Sequence, residues 1–310
     1  EAIFEKWDLH ASHIGDVMSD GILRVRNHGE VVAEIPNGPL VDEAPLYNRP
    51  VARPAYLDAA NQLDAATLTR LAGASPPTAA RAAFLTILGS PPVASKRWVY
   101  RQYDHMVRTN SIVLAGMGAG VVRIKDTTRA LAMSTDGNGR YCYLNPRRGA
   151  MLALAEAARN VACAGALPIG GTNCLNFGNP ERPEIMWQLV EAIEGLADAC
   201  RALDIPITGG NVSLYNETDG QAIYPTPVIG VVGLIEDATR AVSRTFKQAG
   251  DEVVLLGEGY GELGGSEYLK SVHGLVQGQP PELNLDKERA LITLLTQAAA
   301  MTMPATSTRV

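Results

Sequence analysis

The clearest periodicity in the chain runs from Pro183 to Leu203. Ile185, Leu189, Ile193, Leu196 and Cys200 recur at helical spacing, which predicts an amphipathic helix. Pro183 suits its first turn, where a missing N–H would be unpaired anyway. Polar stretches rich in Gly and Asn flank it at 170–180 and 208–217, and both read as loops. Residues 205–208 predict a short strand leading into the second loop. Upstream, 121–124 and 130–135 predict strands. Residues 149–165 predict a helix with a broad face of small residues (Ala150, Leu154, Ala158, Val161), closed by Gly165. Downstream, 227–235 and 251–257 read as strands and 291–300 as a helix.

The N-terminal pattern is weaker. Two alternating runs, 21–26 and 30–36, surround an Asn-His-Gly turn and predict a hairpin. A lone hairpin is marginal in water, so these residues read as the end of a larger domain. Residues 47–95 are rich in Ala and Pro and read as a linker with helices at 57–71 and 79–88. The segment 64–67 is a possible helix start, and Leu85, Ile87 and Leu88 supply surface for docking. Residues 97–107 carry Trp98, Tyr100, Tyr103, Asp104 and His105, a helix with an aromatic packing face. General-base chemistry at His105 is the competing reading. His10 and His13 read as surface histidines rather than metal ligands.

Composition narrows the class. The hydrophobic share is 46%, the charged share 19%, and there are 30 glycines, as in a soluble α/β protein. A formal net charge of −6 supplies no basic footprint for nucleic acid. The four cysteines form no Cys-x-x-Cys pair and no metal spacing with the five histidines, which fits a reducing, cytoplasmic setting. No apolar run is long enough to span a membrane.

The two Asn/Gly stretches are the chemical candidates. Glycine lets backbone N–H groups approach oxygen anions, and an Asn amide can donate to phosphate or offer its oxygen to Mg²⁺. Ordinary tight turns use the same residues. Asp136, followed by Gly137, Asn138 and Gly139, suits a metal ligand at a strand mouth or a plain turn. Residues 257–265 hold five glycines, in an order that matches neither a dinucleotide fingerprint nor a P-loop. Glu156, Arg159 and Asn160 read as a solvated or ion-paired helix face, with a ligand contact as the competing reading.

The runs Asn173-Cys174-Leu175-Asn176-Phe177-Gly178-Asn179-Pro180 and Gly210-Asn211-Val212-Ser213-Leu214-Tyr215-Asn216-Glu217, with Pro225-Thr226-Pro227, closely resemble the synthetase subunit of the phosphoribosylformylglycinamidine synthase family. The resemblance is strongest over 95–266. It implies an α/β (α+β) fold: a ferredoxin-like N-type domain of the aminoimidazole ribonucleotide synthetase-like superfamily, two of which pack into a shared barrel. It divides the chain into the tail of a preceding C-type domain (1–48), a linker (49–95), an N-type ATP-binding domain (96–240) and the start of a truncated C-type domain (241–310). It implies ATP and Mg²⁺ as ligands and formylglycinamide ribonucleotide as substrate. A glutaminase subunit or domain, a small accessory subunit and a first N-type domain missing from this chain are the implied partners. Carried over residue by residue, Asn173 and Gly210 contact ATP, Asn211 and Asp136 hold Mg²⁺, and Ser213 meets the substrate. The two amides are expected to share one cavity. No catalytic residue is carried over, since the family's catalytic His belongs to the missing domain. Residues 116–120 lack an acidic residue that the family often has there. A structural, nucleotide-retaining module and a small-molecule kinase of the same superfamily are the alternatives.

Overall fold

A computed structural model describes residues 1–310 except 65, 68, 70–76, 258, 260 and 302–310, and omits the side chains of 77–79. The chain forms two compact units, 1–48 and 49–310.

In the first unit, α1 (Ala2–Glu5) precedes β1 (Ile22–Asn27) and β2 (Glu30–Pro36), an antiparallel hairpin, followed by α2 (Asn37–Val41). His28 and Gly29 take φ of 49° and 89°, the positive pair that a two-residue hairpin turn needs. Leu23, Val25, Val31 and Val32 stay exposed, so the hairpin has no core of its own.

The second unit opens with a segment that docks. Ala52 N–H donates to Pro183 O, and α3 (Tyr56–Ala60) buries Leu57. Residues 61–64 leave the helix predicted over 57–71, part of which lies outside the described residues, as does Ala65 of the predicted helix start. Helix α4 (Pro77–Gly89) packs against α9 (Glu267–His273), yet Leu85 and Leu88 are exposed and only Ile87 is half-buried. The helix predicted over 97–107 is one turn, α5 (Arg97–Tyr100). Asp104 captures Met106 N–H at 2.8 Å and offers the backbone an alternative to helix. Trp98 and Tyr103 are 71% and 70% exposed, so the expected aromatic packing face is not formed. The His105 ring meets Tyr103 O and the edge of Tyr100.

The core is a six-stranded sheet ordered β3 (Ser111–Val113), β4 (Gly120–Arg123), β5 (Ala130–Asp136), β10 (Thr226–Ile235), β6 (Leu167–Asn176), β7 (Ile207–Ser213). A small hairpin, β8 (Glu217–Thr218) and β9 (Gln221–Ala222), lies beyond β7. Strand β10 runs antiparallel to both β5 and β6, and β6 and β7 are parallel. After the short α6 (Gly139–Leu144), α7 (Pro146–Cys163) links β5 to β6, and α8 (Pro183–Leu203) links β6 to β7. A split βαβ unit with β10 between its strands is the ferredoxin-like arrangement. Strand β10 alternates buried and half-buried along its whole length, with Ile229 and Val231 toward the helices. Helix α7 packs its alanines on β10 and β5 and crosses α8 closely. A Cβ on Gly195 of α8 would come within 2.1 Å of Arg147 O.

Residues 251–257, predicted as a strand, have no strand partner among the described residues. Val253, Val254 and Leu255 are exposed, because a β-ladder needs a neighbour that the described residues do not supply. The predicted C-terminal helix is longer, α10 (Leu285–Met301), and packs on α7 and α8. No helix among the described residues is long and apolar enough to cross a membrane.

Candidate functional site

The two Asn/Gly stretches are not turns. Asn173 and Asn176 lie within β6, and Gly209, Gly210 and Asn211 within β7. Turn-prone residues are held straight here because the parallel ladder pairs their backbone and Leu175 is buried beneath the helices. Only 177–180 and 214–216 remain as connections at the strand ends.

Register decides which of the candidate side chains meet. Asp136 pairs with Ile229, Ile229 with Asn173, and Asn173 with Gly210, so these four form one row across the sheet. Ile229 is fully buried, which puts the row on the helix-facing side. Asn211 pairs with Cys174, and Ser213 with Asn176, one residue out of phase. Side chains alternate along a strand, so Asn211 and Ser213 occupy the opposite face from Asn173. The cavity expected to be shared by the two amides is therefore not built by these strands. Two clefts, one lined by Tyr56, Gln188 and Tyr224 and one by Gly118, Asn160 and Arg244, include neither Asn173 nor Asn211. The amides straddle β7, the outermost strand. A Cβ on Gly210 would lie 2.4 Å from Asn173 Oδ1, so the Asn173 amide spreads over Gly210 toward the free edge.

At the inner end of the row Asp136 is closely held. Ser134 Oγ lies 2.6 Å from Oδ2, and Asn160 Nδ2 donates to both carboxylate oxygens at 3.1 and 3.2 Å. The turn at 116–120 closes over Asn160, where a Cβ on Gly118 would meet Asn160 Oδ1 at 2.9 Å. One helical turn before Asn160, Glu156 senses the same carboxylate. Partial desolvation, and then the charge of Asp136, push its pKa above the usual value. Asp136 and Glu156 supply two carboxylates of the kind a hard cation takes, while Asn160 offers Asp136 its N–H groups rather than an oxygen. No group of three His, Cys, Asp or Glu stands together among the described residues. The turn after Asp136 is also structural, since Asn138 Oδ1 caps α6 by accepting from the N–H of Arg140 and Tyr141.

The strand ends are locked by Asn216. Its Nδ2 donates to Phe177 O at 3.0 Å and Ser213 O at 2.8 Å, and Ser213 Oγ lies 3.2 Å from its Oδ1. Asn176 Nδ2 donates to Thr226 O at 3.1 Å, tying β6 to the start of β10.

Glu156 is exposed, as the solvated-face reading expects, whereas Asn160 is half-buried and turned to Asp136. The spacing of four between them on a helix packed against the strand that carries Asp136 was the available signal for that contact. Arg159 does pair as read there, with Glu288 at 2.6 Å.

Comparison with known proteins places this architecture. Residues 116–235 match the family model "AIR synthase related protein, N-terminal domain". The chain is 50% identical over 299 residues to the phosphoribosylformylglycinamidine synthase subunit PurL of Moorella thermoacetica, covering 96% of this chain and 40% of that one. It is 50% identical over 295 residues to the same subunit of Anaeromyxobacter dehalogenans, covering 94% and 38%. Thermotoga maritima PurL complexed with ADP superimposes with a TM-score of 0.54 at 26% identity, over 72% of this chain and 33% of that one. The same protein complexed with FGAR reaches 0.58 over 91% of this chain and 37% of that one, a likeness of fold at 22% identity. Fold and family match define an AIR-synthase-type α/β domain. More narrowly, the chain belongs to the PurL family of synthetase subunits, and it spans about two fifths of the length of the curated relatives it matches.

Proposed function

We propose that this chain supplies the second N-type domain of an ATP-dependent amidotransferase of purine biosynthesis. The complete enzyme is a carbon–nitrogen ligase that uses glutamine as its amide-nitrogen donor. It converts formylglycinamide ribonucleotide, ATP and glutamine-derived ammonia to the amidine, ADP and phosphate. The observation that carries the reading is the amide-bearing edge of β7, where Asn173, Gly210, Asn211 and Ser213 lie within two adjacent strands. Relatives studied as complexes with ATP, ADP and FGAR support it.

In this reading the amide of Asn173 and the bare backbone at Gly210 take the nucleotide. Asn211 offers its oxygen to Mg²⁺ on the other side of the edge, and Ser213, held by Asn216, meets the substrate. Mg²⁺ neutralises phosphate charge when bound. The register neighbours of Asn211 are Val228 and Cys174, which bring no carboxylate, so its share of the metal shell is completed by the first N-type domain. The glutaminase and a small accessory subunit are the further partners, and the setting is the cytoplasm.

A second reading is favoured by the Asp136–Asn160–Glu156 cluster. Two strands separate β5 from β7, so a nucleotide bound at the cluster through a cation would sit apart from the edge and serve stability without turnover. The deciding measurement is synthesis from formylglycinamide ribonucleotide, ATP and ammonia by these 310 residues, alone and with the first N-type domain added. Turnover only with the added domain, lost in Asn211→Ala, supports the edge reading. Turnover by the chain alone would refute it. ADP retained through gel filtration and lost in Glu156→Gln would establish the second.

A further inference from the structure

Beyond the C-terminal end of β7, the segment 52–56, the first turns of α8 and the β8–β9 hairpin line a cleft of about 620 Å³. That volume lies within the range of small-molecule sites. One wall is an aromatic ladder. The rings of Tyr56 and Tyr143 stack in parallel at 4.4 Å, and Tyr143 meets Tyr224 at 4.6 Å and 30°. Tyr224, the outermost rung, is 41% exposed.

Gln188 lines the same cleft and is only 4% exposed. Tyr56 Oη donates to Tyr143 O at 2.9 Å, so it accepts from Gln188 Nε2, also at 2.9 Å. That pairing fixes which way the amide points. Gln188 Oε1 then has no donor among the described residues. It is also absent from the fully enclosed unpaired atoms, Asn61 Oδ1, Asn110 Oδ1 and His273 Nε2. An acceptor with spare capacity in a nearly buried side chain asks for an N–H from a ligand. Two guanidinium groups complete the lining, Arg53 and Arg182, against one carboxylate, Glu184. Arg53 pairs with Asp58 at 2.8 Å, and Arg182 with Glu184 at 2.9 Å and Glu217 at 3.6 Å. These are solvent-facing pairs of the kind an anion can rearrange. A ladder that served only to dock 52–56 would need neither the open volume nor the spare amide oxygen.

We propose that this cleft binds a nucleoside monophosphate. The base stacks on Tyr224, an N–H of its edge donates to Gln188 Oε1, and the phosphate takes Arg182 and Arg53 from their carboxylates. The site is independent of the reading given above for β7.

Equilibrium dialysis of the chain with AMP tests it, with adenosine and inorganic phosphate as separate probes. Saturable AMP binding is expected, with adenosine and phosphate each weaker by about tenfold or more. Tyr224→Ala and Gln188→Met are each expected to lower AMP affinity about tenfold, in line with the loss of one stacked base contact or one buried hydrogen bond. Tyr224 is exposed enough that its variant folds whatever Gln188→Met does, and melting temperature checks both. Arg129→Ala, which breaks a surface ion pair with Glu236 outside every site described above, should leave AMP binding unchanged. AMP binding that survives both Tyr224→Ala and Gln188→Met would overturn the proposal. So would adenosine binding as tightly as AMP, or no saturable binding below about 10 mM.

Discussion

Single side chains set the chemistry of the sheet. Glu156 illustrates how a charge is tuned. An acid whose folded pKa is raised pays for ionisation only in the folded state, so its stability is full at low pH and falls as pH rises through the folded value. Melting temperature measured across about pH 4–8 should therefore show a fall from this group that is absent in Glu156→Gln. Millimolar Mg²⁺ should raise the melting temperature of the parent and not of the variant, if the cluster holds a cation. Asn216 is a second case. Asn216→Ala removes the amide that bonds Phe177 O and Ser213 O. A cost of about 1–2 kcal/mol is expected by denaturant titration. The residue types at these positions were legible from sequence, and Asn173, Gly210, Asn211, Ser213 and Asp136 could be singled out. Their grouping was not. A one-residue phase in the β6–β7 register sorts Asn173 from Asn211, and no single-chain pattern encodes register between strands 37 residues apart.

At the level of elements, the helices were the most readable, because α8 shows its apolar stripe at full length and Pro183 marks its start. Most of β6, and β7 beyond Thr208, were misread as loops, since Gly and Asn carry turn propensity that tertiary pairing overrides. The run at 251–257 erred the other way, with strand-like residues and no strand partner among the described residues. The α7–α8 crossing depends on a missing side chain. Gly195→Ala would drive a methyl into Arg147 O and should cost at least about 2 kcal/mol, read by thermal or denaturant unfolding. Helix α9 is pinned differently. Arg140 pairs with Glu267 at 2.7 Å, each side chain only 14% exposed, and Arg140 Nε donates to Gly265 O at 3.1 Å. Arg140→Met removes the charge partner of Glu267 and leaves its carboxylate to the Ser271 hydroxyl, at a cost of about 1–3 kcal/mol. Hydrogen exchange should then quicken over 267–273 while α7 stays protected.

Taken whole, the chain carries a dense core around β10, α7 and α8 and a periphery that is poorly covered. Val253, Val254 and Leu255 are 76%, 71% and 91% exposed. Contiguous apolar residues of this kind promote association. The purified chain should self-associate with rising concentration in analytical ultracentrifugation, and a Val253→Lys, Leu255→Lys double variant should shift it toward the monomer. The ferredoxin-like plan was readable through family resemblance, whereas the Tyr56–Tyr143–Tyr224 ladder was not, because its rungs come from three distant segments brought together only by folding. One consequence follows from β7 being outermost with glycines at 209 and 210. Its outward N–H and C=O groups are available either to a molecule that wraps around the strand to reach both amides or to an incoming β-strand, never to both at once. Occupancy of that rim is thus a built-in guard against strand-by-strand polymerisation, and an empty rim is where such growth would begin.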